Sequence, residues 1–142
     1  MSATTKDPVT ISAHNGHSRC LLCGNLNPRS LNLSFQAAGD NVVKSRFKAH
    51  ALLQGYDNIL HGGIIASLLD AAMTHCLFHR GVQAVTGDLH VRFMRTVSCN
   101  ASLEVRAWVL YSHPPLYRLK AEIVVNEQVM AWAEAKFMQR MI

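Results

Sequence analysis

A single carboxylate interrupts a long apolar stretch. From Gly62 to Phe78 the only acidic side chain is Asp70. At 100° per residue, Ser67, Asp70 and Thr74 fall on one side of a helix, flanked by Ala66 and Ala71. A solvated helix face would carry Lys, Glu and Arg, whereas a stripe of small residues lets a second backbone or a ligand come close. Aspartate is also a poor residue for a helix interior, because its side chain competes for local backbone groups. The plain alternative is a solvated Asp on an exposed face. The pattern favours a carboxylate set into a cleft or subunit interface for chemistry. Just upstream, His61-Gly62-Gly63 opens the same segment. Free N–H groups and the positive end of the helix dipole collect there. Glycines let a carbonyl oxygen approach those N–H groups, which makes the turn a candidate oxyanion hole.

Other groups with chemical potential stand beside this pair. His14, His17, Cys20 and Cys23 recur every third residue, and four such N and S donors could make a tetrahedral zinc site. The spacing is compressed, and no second Cys-x2-Cys follows. The expectation is therefore two reduced cysteines packed at a strand entry, idle tail histidines and no metal. Cys76 lies on the apolar arc of the helix, where a buried thiol is inert. His75 and His79 lack a third ligand and read as ordinary core or surface residues. No Walker A or Rossmann glycine pattern occurs. Arg92, Arg95 and Arg106, with Lys44, Arg46 and Lys48, could form a basic rim. Arginine forks suit phosphates.

The elements that must hold these groups follow from period and length. The chain has 142 residues, 49% apolar and only 16% charged, with a formal net charge of +5. One domain of this size builds its own core without disulfides. The low charged fraction leaves surface for another subunit to cover, and the modest positive excess suits an anionic ligand without requiring nucleic acid. Residues 1–18 read as a flexible tail and 19–142 as a single domain. The start of the chain has no basic and apolar leader, and no run of about 18 apolar residues crosses a membrane. The default compartment is a reducing cytoplasm. Helical spacing spans Gly62 to Arg80, closed by Arg80 and Gly81. Period-two alternation marks strands at Leu31–Phe35, Val42–Phe47, Val85–Phe93, Leu103–Tyr111, Leu116–Val125 and Val129–Phe137. Hairpin connections fall at 112–115 and at Asn126-Glu127. The class is α+β, an antiparallel sheet able to wrap one long helix.

These residues resemble a known family. His61-Gly-Gly-Ile-Ile-Ala-Ser-Leu-Leu-Asp70 resembles the HGG-x6-D signature of the PaaI-like hotdog-fold acyl-CoA thioesterases. The strand from Ala84 to Thr96 is similar to the family's next strand, and Cys20-Leu-Leu-Cys-Gly-Asn-Leu-Asn-Pro28 resembles one subgroup's lead-in. The resemblance covers about residues 20–139 and implies hydrolysis of an acyl-CoA thioester to free acid and CoA. Asp70 would act as general base or nucleophile, and Gly63 or Gly62 would supply the oxyanion N–H. His61 would support the loop, and Thr86 would carry a hydroxyl that orients water. Arg92 and Arg95 would take the CoA phosphates. No cofactor is implied, since CoA is part of the substrate. The family pairs subunits edge to edge as dimers, often paired again as tetramers, with active sites between subunits. It implies neither a nucleic-acid nor a membrane partner.

Departures are visible too. Many relatives carry Asn six residues before the HGG histidine, where this chain has Gly55; Asn58 is the nearest substitute. Thr96 replaces the usual proline after the strand arginine, and Ser30 the usual glycine of the lead-in. A non-catalytic acyl-CoA-binding module is the alternative reading.

Overall fold

The computed structural model describes residues 9–10, 16–39 and 41–140. Its strands are β1 (Val9–Thr10), β2 (Gln36–Ala37), β3 (Val42–Lys48), β4 (Ala84–Phe93), β5 (Ser102–His113), β6 (Leu116–Val125) and β7 (Gln128–Gln139). A 3-10 turn at Ala51–Leu53 precedes the helix α1 (Gly62–His79). The strands form one antiparallel sheet in the order β1-β2-β3-β5-β6-β7-β4. The sheet curls around α1, which packs against β3, β4, β5, β6 and β7. The periodicities predict this sheet wrapped around one helix, and it is the hotdog fold that the family resemblance implies.

The core explains the composition. Along β5, β6 and β7 every second side chain faces α1, and these are small or branched: Val105, Ala107, Leu119, Ala121, Ile123, Ala131, Ala133 and Phe137. Alanines on the concave face let the helix lie close, and Leu68, Leu69, Ala72, Met73 and Leu77 fill the contact. The C-terminal half of α1 is buried all round, from Ala71 to Phe78. Gly81, at φ +73, ends it in the left-handed conformation that a residue with a Cβ adopts at a cost. Asn126 and Glu127 both have positive φ (49° and 64°), as a two-residue type I′ turn between β6 and β7 requires.

One expectation for the N-terminal third changes. Leu31–Phe35 is not a strand. Its side chains alternate between inside and outside, but Asn32 sits at φ 53, and the N–H groups of Leu31 and Leu33 donate to the carbonyls of Leu21 and Leu22. A local turn has taken the hydrogen bonds a ladder would need. Within 1–18, Val9–Thr10 pairs with β2 and His17 packs edge-on against Phe78, ring centroids 4.9 Å apart. The rest of that segment, including His14, lies outside the described residues. Among the described residues no helix is long and apolar enough to cross a membrane.

Candidate active site

Asp70 sits midway along α1, partly buried, facing β4. Its Oδ1 accepts a hydrogen bond from Thr86 Oγ1 at 2.5 Å. The neighbouring hydroxyls on its stripe are spent within the helix: Ser67 Oγ donates to the Gly63 carbonyl at 2.8 Å and Thr74 Oγ1 to the Asp70 carbonyl at 3.0 Å. Burial pushes the Asp70 carboxyl above its ordinary range, and the Thr86 hydroxyl and nearby His17 pull it partly back. That environment suits a group that takes up a proton during a reaction.

Thr86 reaches Asp70 because β4 is bulged. Thr86 pairs with Phe137 but Asp88 pairs with Lys136, so β4 advances two residues while β7 advances one. In a regular two-residue alternation, Thr86 would share the outward parity of Asp88, His90 and Arg92. With the bulge at Gly87, Thr86 joins Leu89, Val91 and Phe93 on the helix side.

Asp70 lines a cavity of about 120 Å³ with His17, Cys20, Leu22, Cys23, Ser67, Ala71, Thr74 and His75. Its outer wall is thus the Cys20–Cys23 turn, which the sequence reading set apart from the site. Cys23 Sγ lies 3.7 Å from His17 Nδ1. Burial, reinforced by the neighbouring Cys20, pushes the Cys23 thiol up to about 12. His75 is 1% exposed and stacks on Phe35 at 4.4 Å. Neither of its ring nitrogens has a hydrogen-bond partner among the described residues. Burial, with a smaller contribution from His17, pushes its pKa down to about 4, so it is neutral at pH 7. The sequence shows both the three-residue spacing before Gly24 and His75, but not that they lie against Asp70. Nearly fifty residues of sequence hide their proximity.

The helix N-terminus is a separate place. His61 caps α1: its Nδ1 accepts from the Gly63 N–H at 2.8 Å. The Gly62 N–H has no acceptor among the described residues. A Cβ at Gly62 would lie 3.5 Å from the Phe93 ring. The structure therefore singles out Gly62 as the free donor. Asn58, in the loop leading to α1 at φ 67, uses its backbone to accept from Cys99 and to donate to Gln54. Its exposed side chain lies at this end of the helix, away from Asp70. Eight residues separate Gly62 from Asp70, about 12 Å along the axis at 1.5 Å each. A carbonyl whose oxygen takes an N–H at about 3 Å and whose carbon meets a nucleophile at about 3 Å spans little more than half of that. Within one chain the two parts cannot act on one carbonyl.

The basic residues do not converge either. Lys44, Arg46 and Lys48 lie on β3 and Arg106 on β5, on the opposite side of the sheet from β4. Two of them face carboxylates, Lys44 to Glu104 at 3.8 Å and Arg106 to Glu122 at 3.7 Å. Arg92 and Arg95 are exposed and flank Phe93, at the end of β4 nearest the free Gly62 N–H.

Residues 57–114 match the model of the thioesterase superfamily. A thioesterase superfamily protein of known structure superposes with a TM-score of 0.80 at 20% identity, covering 85% of this chain; the chain spans only 60% of that protein's length. The Escherichia coli PaaI protein from the phenylacetic acid degradation operon gives a TM-score of 0.72 at 20% identity, covering 78% of this chain and 81% of its own. A hypothetical thioesterase from Streptococcus pneumoniae, solved with coenzyme A, gives 0.71 at 16% identity, covering 76% and 88%. No curated protein matches the chain. The chain thus has the hotdog fold of these structures, and its residues 57–114 match the thioesterase superfamily.

Proposed function

We propose that two copies of this chain hydrolyse an acyl-CoA thioester to a carboxylic acid and CoA, at sites shared between them. The observation that carries the reading is the separation just described: a carboxylate set up for proton transfer, and a free oxyanion donor on the same helix but too far along it. A second copy packed antiparallel places the Gly62 end of one helix beside Asp70 of the other. Asp70 then takes a proton from water as it attacks the thioester carbon, or attacks directly to form a mixed anhydride that water opens. The Gly62 N–H of the opposing chain holds the charge that builds on the carbonyl oxygen. The CoA thiolate leaves and takes up a proton. Thr86 fixes one carboxylate oxygen and leaves Oδ2 to act. Arg92 and Arg95 flank the entrance, where CoA phosphates would dock. No metal is needed for these steps.

The surface supports pairing. β4 is the edge of the sheet, and its ten residues are mostly exposed in one chain, with Val85, Leu89 and Phe93 uncovered. Such an edge invites another strand. Near the Gly62 end, Leu52 is 90% and Tyr56 86% exposed, apolar surface that a second copy would cover. The solved thioesterase with coenzyme A supports the substrate class. The deciding experiment is release of free thiol from a panel of acyl-CoAs. Turnover that saturates with substrate is expected. Binding of acyl-CoA with no thiol released would make the chain a binding module instead.

A further inference from the structure

We infer that His17, Cys20 and Cys23 form a site for a thiophilic divalent cation, zinc above all, which clamps the N-terminal turn over the cavity that holds Asp70. Their donor atoms lie within 4.8 Å of one another. Zinc–sulfur bonds of about 2.3 Å and zinc–nitrogen bonds of about 2.0 Å at a tetrahedral angle require an N···S edge of about 3.6 Å. The His17 Nδ1 to Cys23 Sγ distance is 3.7 Å, so that edge already has the length a bound ion needs, and the other two close from no more than 4.8 Å.

The turn is built before any ion arrives. Cys20 N–H donates to the His17 carbonyl at 3.0 Å and Gly24 N–H to the Cys20 carbonyl at 2.9 Å. Leu22 N–H donates to Cys20 Sγ at 3.4 Å, which holds that sulfur within the turn. At Gly24 a Cβ would fall 2.4 Å from the Cys20 nitrogen and 2.5 Å from the Ser18 carbonyl oxygen. Only glycine allows the chain to wind this tightly around the two sulfurs. Leu26 N–H then ties back to the Ser18 carbonyl at 2.8 Å.

A second, independent observation points to something polar in the cavity. His75 is almost wholly buried, lines the same cavity and has two unpartnered ring nitrogens. Two nitrogens without partners are costly in a core. Three protein ligands leave a tetrahedral ion one open position. A water molecule on the ion, within the cavity shared by His75 and Asp70, would serve both needs. The ion's role is then to fix the wall of the Asp70 cavity, and this holds whatever reaction Asp70 performs.

The test uses the full chain, reduced with a phosphine and stripped of metal. Titration with cobalt(II) should give the intense visible bands of a tetrahedral ion and a sulfur-to-cobalt charge-transfer band at one ion per chain, and zinc should bleach both. Protein purified without chelator should carry about one zinc per chain. Cys23→Ser should weaken cobalt binding more than about tenfold and roughly halve the charge-transfer intensity per bound ion, and His17→Ala should weaken binding similarly. Wild-type protein that shows only weak, octahedral cobalt spectra overturns the inference, and so does a Cys23→Ser protein that binds as wild type. The wild-type spectrum decides even if a variant misfolds. None of these readouts depends on turnover, so failure here leaves the hydrolase reading standing.

Discussion

Thr86 and Asp70 are sixteen residues apart in sequence and share a 2.5 Å hydrogen bond, made from a strand position that an unbroken ladder would turn outward. The bond leaves Asp70 with one oxygen fixed and the other free. It also sets two opposing influences on the carboxyl: burial disfavours the charged form and the hydroxyl favours it.

Replacing Asp70 by Asn keeps the size and removes the base. Turnover of the best acyl-CoA should fall by about two to four orders of magnitude. Melting temperature should hold or rise, because the buried charge and its desolvation cost disappear. Circular dichroism and sizing alongside the kinetics check that the fold is intact. A folded, oligomeric Asp70→Asn protein with wild-type rates would remove Asp70 from the mechanism.

Thr86→Val removes the donor and keeps the shape. The hydroxyl stabilises the carboxylate, so its loss should raise the Asp70 pKa further. The acid limb of kcat/KM against pH, already above the ordinary carboxylate range, should then move to higher pH, with little change on the plateau. An unmoved limb would show that the bond does not influence the reacting group.

Shared sites make a complementation experiment possible. Gly62 is the first residue of the helix, where proline is tolerated, and the preceding His61 at φ −59, ψ 132 already has a backbone that accepts a following proline. Gly62→Pro deletes the free N–H and should cost about a hundredfold or more in kcat. Co-expressed with Asp70→Asn, it should regain activity, since each mixed dimer rebuilds one intact site. No recovery in verified mixed dimers would place both groups of a site in one chain.

Assembly should depend on the β4 edge. Light scattering at micromolar concentration should give at least twice the mass of one chain. Leu89→Arg, which puts a charge on that strand, should shift the mass toward the monomer and lower turnover with it. An active monomer would contradict the shared site.

Acid should unfold the protein partly through His75. Its pKa is about 4 in the folded chain and about 6.5 when unfolded, so the unfolded state binds more protons between those values. The contribution is complete above pH 6.5 and is lost as pH falls toward 4, amounting to about 3 kcal/mol in metal-free protein. His75→Leu should flatten that part of the stability curve in urea titrations at stepped pH. An equally steep acid limb in the variant would assign the loss to other groups.

Most of the frame was legible because it rests on period. The helix carries its own stop at Arg80–Gly81, and β5 to β7 alternate over most of their length between buried apolar and more exposed residues. Leu31–Phe35 misled for the same reason: alternation records which side chains are buried, not where the backbone hydrogen bonds go. The Asp70 stripe could be read because small residues at helical spacing are rare on a solvated face. The choice of Gly62 over Gly63 could not, since it turns on the rotamer of His61. The Cys20–Cys23 turn against Asp70 was hidden by chain topology, which no local pattern encodes.

Gly87 gives this fold a particular tolerance in evolution. A β4 of the same length paired without the bulge would turn Thr86 to solvent, because Thr86 and Asp88 would then share one face. A β4 that lost Gly87 would instead set Thr86 directly beside Asp88, opposite the consecutive pair Phe137 and Lys136, and keep the hydroxyl facing Asp70. A one-residue gap at this point of an otherwise alignable relative therefore leaves the partner of the carboxylate in place, whereas an ungapped relative keeps it only by keeping the bulge.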